Sequence, residues 1–280
     1  MRVLIFLDLV DRRGLKVLVR KRFNPQLGQL TKMMSREQVS VVGNTFVRGL
    51  RRILGEKLYG LYIYGAAAFP DSLPAGDIDF HVILKSGLTD HERSELESFH
   101  EFLAEHHPPL GGKMDGYYIL LADARGEIPP RSQMWGGATD ESWALHCEHV
   151  RAGRCIVFYG PEPAEIYPRA SWPKLERALY WELDYVEKHL HEYPDYCILN
   201  LCRLLYSFET RDVVISKAQA ADWACDVLPE WRRHIELARK SYARQLEPGD
   251  RQFMLAEVGR FLEFARARIE RANKKMSTGK

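Results

Sequence analysis

Several features are missing from this sequence of 280 residues, and their absence excludes whole classes of protein. No apolar run reaches the roughly 18 residues of a membrane-spanning helix, so no membrane association is expected. No internal repeat or low-complexity tract is present, and a content of 46% hydrophobic and 28% charged residues excludes disordered and fibrous chains. The five cysteines form no CxxC pair, which favours free thiols in a reducing cytoplasm over a disulfide framework.

A strong net charge is also missing, but the small surplus of +2 is unevenly distributed. Residues 1–34 hold eight basic and two acidic residues, whereas the rest of the chain has a net charge of −4. A basic leader is typical of contact with nucleic acid or a membrane, and an acidic body suits a cationic small molecule. Three interpretations of the leader stay open: a short hairpin, a disordered arm, or an untranslated stretch, since Met33 and Met34 are plausible starts.

The pattern of elements changes along the chain and predicts two domains. Ser35, Thr89 and Ser216 each open a capping box, which predicts a helix start at each of them, and from Ser35 onward helical and strand patterns alternate. Proline-rich stretches within residues 160–173 are typical of an interdomain connection, and nearly everything after them has helical periodicity. We therefore predict an α+β fold with a first domain over residues 35–165 and an all-α domain over residues 166–280. The main predicted strands are Leu58–Tyr64, Ile78–Leu84 and Met114–Leu121.

Three aspartates form a candidate metal site at one edge of the predicted sheet. Asp77 and Asp79 lie two residues apart at the start of the second strand, so their side chains project to the same side. Asp115 opens the following strand and joins them if the two strands are neighbours. Carboxylates are hard oxygen ligands suited to Mg²⁺ that also carries substrate phosphates, and three like charges are unfavourable without a cation. The alternative is a loop or cap feature without a catalytic role.

Two sets of motifs resemble a known group of enzymes. Tyr64-Gly-Ala-Ala67 followed by Gly76-Asp-Ile-Asp79 resembles the signature of the polymerase-β-type nucleotidyltransferases. In the back half, five motifs resemble, in order, the helical domain of the aminoglycoside (3'')(9) adenylyltransferases, antibiotic-resistance enzymes that modify streptomycin and spectinomycin. These motifs are Leu199-Asn-Leu-Cys-Arg-Leu-Leu-Tyr206, Ile215-Ser-Lys217, Ala220-Ala-Asp-Trp-Ala224, Leu228-Pro229 and Ala238-Arg-Lys-Ser-Tyr242.

The resemblance implies a fold and a set of site residues. Residues 35–165 would be a mixed-sheet nucleotidyltransferase domain, and residues 166–280 an all-α helical-bundle domain. Asp77 and Asp79 would hold two Mg²⁺ ions on the phosphates of ATP, and Asp115 would stand at the position of the family's general base. The residues expected to contact the phosphates and the nucleotide are Gly65, Ala66, Gly76, Arg203, Lys217 and Tyr242.

The implied reaction is transfer of AMP from ATP to a hydroxyl of a small, cationic acceptor such as an aminoglycoside, with release of pyrophosphate. Nucleic acid is not an expected partner, and the sequence leaves the oligomeric state open. Ala66 and Gly76 replace hydroxyl-bearing residues of the family pattern, and Asp115 replaces a longer glutamate. These departures leave two alternatives: a non-catalytic nucleotide-binding or regulatory protein of the same fold, and a nucleotidyltransferase acting on RNA or protein with the basic leader as anchor.

Overall fold

The computed structural model describes the chain in two compact units, residues 1–33 and residues 34–280. Side chains are described only between residues 36 and 274. No helix among the described residues is both long and apolar enough to cross a membrane. The described backbone comprises residues 8–10, 16–18, 36–69, 77–126, 129–135, 139 and 141–278.

The described part of the first unit is a pair of short strands, β1 (Asp8–Val10) and β2 (Lys16–Leu18). They pair antiparallel, with Asp8 opposite Leu18 and Val10 opposite Lys16. This is the pairing that the hairpin interpretation of the leader predicts.

The second unit contains four strands and nine helices among its described residues. The strands are β3 (Leu58–Tyr64), β4 (Ile78–Leu84), β5 (Met114–Leu120) and β6 (Ile156–Tyr159). The helices are α1 (Arg36–Leu54), α2 (Asp90–His106), α3 (Leu121–Ala124), α4 (Trp143–Arg151), α5 (Trp172–His189), α6 (Pro194–Thr210), α7 (Lys217–Val227), α8 (Arg232–Tyr242) and α9 (Asp250–Thr278).

Capping residues set the start of two helices that the sequence predicts. The Thr89 hydroxyl accepts a hydrogen bond from the Glu92 amide, and the Glu92 carboxylate accepts one from the Thr89 amide, which opens α2. Ser216 and Gln219 form the same reciprocal pair at the start of α7. The predicted cap at Ser35 lies outside the described residues, and α1 begins at Arg36. These caps fix where each helix begins. The start of α7 is important because its first residue, Lys217, lines the cavity of the candidate active site.

The four strands form one mixed sheet in the order β5-β4-β3-β6. β4 and β5 run parallel, joined by α2, whereas β3 is antiparallel to both β4 and β6. The register places Asp79 between Tyr64 of β3 and Asp115 of β5. The two aspartate-bearing strands are therefore neighbours, which is the condition for Asp115 to lie beside Asp79.

Helices cover both faces of this sheet because successive strand side chains point to opposite sides. Leu61 and Ile63 of β3 belong to an apolar cluster with buried residues of α1 and α2. Tyr62 and Tyr64 belong to a second cluster that includes Trp143 of α4. The sheet is therefore the middle of three layers.

The remaining helices pack around α6, of whose 17 residues eleven are buried. α6 contacts α5, α7, α8 and α9, and together these helices hold the largest apolar cluster. Leu145 of α4 joins this cluster, while Cys147 of the same helix packs with the sheet. α4 therefore connects the sheet with the helical part.

The predicted domain boundary between residues 165 and 166 stays a prediction, because residues 34–280 form a single compact unit.

Candidate active site

A cavity of about 420 Å³ is lined by residues at the end of β3 and the start of β4 and by residues of α4, α5, α6, α7 and α8. It contains seven of the nine site residues predicted from the sequence. They are Gly65, Ala66, Asp77, Asp79, Arg203, Lys217 and Tyr242. Its other described lining residues are Tyr64, Phe69, Leu145, His146, His149, Leu179, Glu182, Tyr196, Asn200, Leu204, Ser207, Val213, Ile215 and Ser216.

One wall of the cavity carries the carboxylates of Asp77 and Asp79. Asp77 is exposed and lies just before β4, whereas Asp79, two residues further along the chain, is half-buried. Burial, followed by the charges of Asp77 and Asp115, raises the pKa of Asp79 to about 8, although Lys217 and Arg203 act in the opposite direction. Without a further cation this carboxyl group is therefore largely protonated at neutral pH.

Gly65 allows the strand β3 to end directly against Asp79. The glycine has a φ of +66°, in the left-handed region that residues with a Cβ rarely adopt. A Cβ atom at this position would lie 1.8 Å from Oδ2 of Asp79. The turn therefore requires glycine for two reasons, its backbone conformation and the close approach of the carboxylate. The next residue, Ala66, lines the cavity with a methyl group and offers no hydroxyl.

The helical wall of the cavity carries two cations, Arg203 on α6 and Lys217 at the first position of α7. The Lys217 ammonium donates a hydrogen bond of 3.3 Å to the Tyr242 hydroxyl and lies 4.2 Å from the centre of the Tyr196 ring. Burial and the nearby Arg203 lower the pKa of Lys217 to about 8, against the opposing effect of Asp77, Asp79 and Glu182. The cations of one wall thus face the carboxylates of the other.

Two histidines of α4 line the cavity between these walls. His146 Nδ1 lies 3.3 Å from the hydroxyl of Tyr64. His149 is buried, and burial lowers its pKa to about 3, so the ring is neutral. Its Nε2 donates a 2.7 Å hydrogen bond to the carbonyl of Val213, four residues before Lys217. This bond ties the helix that packs on the sheet to the loop that presents the lysine.

Asp115 and Gly76 are the two predicted site residues outside the described cavity lining. Asp115 lies beside Asp79 in the parallel register, but it is exposed and is not among the described residues that line the cavity. Its role as general base stays a prediction. Gly76 lies outside the described residues.

The carboxylate wall fits a divalent cation through the pair Asp77 and Asp79. Within the described residues, no group of three or more histidine, cysteine, aspartate or glutamate side chains is arranged to hold a metal, so Asp115 does not complete a three-carboxylate site. A cation at the pair would favour the ionised form of Asp79, whose pKa is raised by burial and by the charges of Asp77 and Asp115.

Four polar cavity residues on α5 and α6 are not among the site residues predicted from the sequence. Three of them are predictable from helical spacing around the motif arginine: Tyr196, Asn200 and Ser207 lie on the same face of α6 as Arg203, at −7, −3 and +4. The fourth, Glu182 on α5, gives no local signal, because only the packing of α5 against α6 brings its carboxylate to the cavity.

Two comparisons with known proteins agree with this geometry. Residues 166–268 match the family model described as the C-terminal domain of aminoglycoside adenylyltransferases. The match begins at the residue where the helical domain is predicted to start, and it covers Arg203, Lys217 and Tyr242.

Most of the chain is similar in fold to a solved structure. The structure of spectinomycin adenyltransferase AAD(9) from Enterococcus faecialis, with ATP and spectinomycin, superposes with a TM-score of 0.65 at 20% sequence identity. The match covers 85% of this chain and 100% of that one. The predicted resemblance and the predicted fold, a mixed-sheet region followed by a mostly helical part, are confirmed. The match to the family model also supports the prediction that the chain is an enzyme.

Proposed function

We propose that this protein transfers AMP from ATP to a hydroxyl group of a small molecule and releases pyrophosphate. The observation that carries the proposal is the meeting of the carboxylates Asp77 and Asp79 with the cations Arg203 and Lys217 in one cavity. Phosphoryl transfer depends mainly on positioning and on charge stabilisation, so a site with carboxylates for a metal and cations for phosphates suits it.

Each charged wall has its own part in this proposal. Asp77 and Asp79 would hold Mg²⁺. The resemblance of the sequence motif to the nucleotidyltransferases implies two such ions. When bound, Mg²⁺ supplies positive charge to the phosphate oxygens. Arg203 and Lys217 would bind the triphosphate, and Tyr242 holds the lysine ammonium through its hydroxyl. Asp115, on the strand beside Asp79, would accept the proton of the attacking hydroxyl.

The proposed acceptor is a cationic, hydroxylated molecule such as streptomycin or spectinomycin. Glu182 supports this choice, because it adds a carboxylate to the cavity beyond the pair proposed for the metal. The net charge of −4 outside the leader also favours a cation, and the matched enzyme was solved with spectinomycin. All five cysteines are described and free, which supports a cytoplasmic location.

The direct test is product formation. The protein is incubated with ATP, Mg²⁺ and one of streptomycin, spectinomycin or a neutral polyol, and pyrophosphate release and the mass of the acceptor are measured. We expect an adduct one AMP heavier with at least one cationic acceptor, none with the neutral polyol, and none with Asp77→Asn protein. Absence of any adduct across the cationic acceptors would rule out the proposed reaction for this group of substrates.

A second candidate is a non-catalytic nucleotide-binding protein of the same fold. The observation that favours it is the exposure of Asp115 outside the described cavity lining, together with the methyl group of Ala66 in place of a hydroxyl. This candidate predicts that ATP with Mg²⁺ raises the melting temperature of the wild type, and raises it less in Asp77→Asn protein. It also predicts that no acceptor releases pyrophosphate.

A further inference from the structure

Asn200 is a polar residue of the cavity wall whose side-chain amide is buried without a full set of hydrogen-bond partners. It lies in the middle of α6 and is only 3% exposed, yet it lines the cavity. Among the described residues, no atom accepts a hydrogen bond from its Nδ2. A buried amide donor without a partner is unfavourable by about 1–3 kcal/mol, so its presence at this position requires a reason.

The orientation of the amide is fixed by its neighbour Arg203. The Asn200 Oδ1 accepts a 3.5 Å hydrogen bond from Nη1 of Arg203. Because a guanidinium group can only donate, the oxygen must face it and the NH₂ group must face elsewhere. The Tyr196 phenol is close enough for the amide to favour its ionised form, but it does not accept a hydrogen bond from Nδ2 with acceptable geometry.

The amide therefore offers the cavity donors and no acceptor, beside one of its two cations. This combination suits an oxyanion, because charge-assisted hydrogen bonds from NH₂ and guanidinium groups to one anion reinforce each other. It does not suit an ammonium group, which would need an acceptor. An anion bound by Arg203 lies within reach of Asn200, since the two side chains already touch.

We infer that Asn200 is a phosphate-binding residue, which donates from Nδ2 to the same polyphosphate oxygens that Arg203 and Lys217 bind. The inference rests on the proposed binding of a nucleotide in this cavity, but not on the transfer of AMP. It assigns Asn200 a ligand contact as well as the positioning of Arg203.

The test measures affinity and stability in the same variants. Asn200→Leu has a similar shape and no donor, and Asn200→Asp keeps the shape but carries a negative charge. Asn273→Leu, on α9, is the control, because this asparagine donates to the Tyr180 hydroxyl and is not among the described residues of the cavity. Binding of ATP, tripolyphosphate and adenosine is measured by calorimetry with Mg²⁺ and no acceptor, and melting temperatures are recorded in parallel.

We expect Asn200→Leu to bind ATP and tripolyphosphate about 10- to 100-fold more weakly than wild type, with adenosine affinity unchanged. Its melting temperature should stay within a few degrees of the wild type, because the lost Nδ2 donor has no partner in the free protein and the variant removes only the long 3.5 Å hydrogen bond from Arg203 to Oδ1. Asn200→Asp should bind both polyphosphates more weakly still, and Asn273→Leu should match the wild type in affinity.

Three results would overturn the inference. The first is unchanged tripolyphosphate affinity in Asn200→Leu, and the second is a loss confined to adenosine. The third is a melting temperature lowered by several degrees, which would indicate a structural role. If tripolyphosphate binding depends on Asn200 but no acceptor receives AMP, the proposed reaction fails and this inference stands. A wild type that binds neither polyphosphate contradicts both.

Discussion

Among single residues, Gly65 is the position where the site tolerates least change. We expect Gly65→Ala to reduce AMP transfer at least 100-fold, because the new methyl group would occupy the place of the Asp79 carboxylate and force it to move. Stability should fall by about 1–3 kcal/mol, from strain at positive φ and from the clash. Steady-state kinetics and urea denaturation measure the two effects.

The matched control for this variant is Gly153→Ala. Gly153 has a similar positive φ of +77°, but no described atom lies within 4 Å of the place of its Cβ. This control should show only the loss of stability. Equal activity losses in both variants would mean that backbone strain, and not the approach of Asp79, explains the requirement for glycine.

The buried ammonium group of Lys217 leads us to expect that ATP binding depends on pH. Its pKa of about 8 means that the charge is present below pH 8 and is lost above it. We therefore expect the affinity for ATP with Mg²⁺ to fall by up to tenfold per pH unit above pH 8. In Lys217→Arg protein the guanidinium stays charged, so its affinity should change little between pH 7 and pH 9.5. Parallel pH slopes in the two proteins would contradict this assignment.

The sequence predicts which residues form the site better than it predicts the burial and the pKa values of their side chains. The two-residue spacing of Asp77 and Asp79 is sufficient to place both side chains at the cavity, because strand geometry is local. The raised pKa of Asp79 and the lowered pKa of Lys217 depend on burial between two parts of the chain. Asn200 has a local signal, its helical spacing from Arg203, but its lack of a partner is visible only in the packed structure.

At the scale of elements, the hydrogen bond from His149 to Val213 joins α4 to the loop before α7. We expect His149→Leu to lower stability by about 1–3 kcal/mol, because the Val213 carbonyl would lose its donor in a buried place. The KM for ATP should rise more than kcat falls, since the loop that presents Lys217 would be less well fixed.

The conservative variant His149→Gln provides the control, because its amide also carries an N–H donor. It should recover most of the stability and most of the ATP affinity. If Leu and Gln variants both behave like the wild type in denaturation and kinetics, the bond does not position the loop.

Local chemistry predicts the elements well and their arrangement only in part. The reciprocal caps at Thr89 and Ser216 place the starts of α2 and α7 correctly, because capping depends on residues three apart. The pairing of β6 with β3 and the double role of α4 are not predictable in this way. They depend on contacts between segments that lie far apart in the chain.

At the scale of the whole molecule, the described apolar clusters and the cavity belong to the unit of residues 34–280. We expect a protein without residues 1–33 to keep its melting temperature within about 2 °C and its affinity for ATP within twofold. Thermal denaturation and calorimetry compare it with the full chain. Loss of AMP transfer on deletion would instead favour an acceptor held by the basic leader, such as RNA or a protein.

The central claim is that the carboxylate wall and the cation wall act together on one metal–nucleotide complex. Calorimetric titration of ATP with and without Mg²⁺, in wild-type and Asp79→Asn protein, tests it most directly. We predict that Mg²⁺ strengthens binding to the wild type at least tenfold, because it offsets the repulsion between the phosphates and the aspartates. In Asp79→Asn protein this dependence should largely vanish. A wild-type affinity that is the same with and without Mg²⁺ would contradict the account.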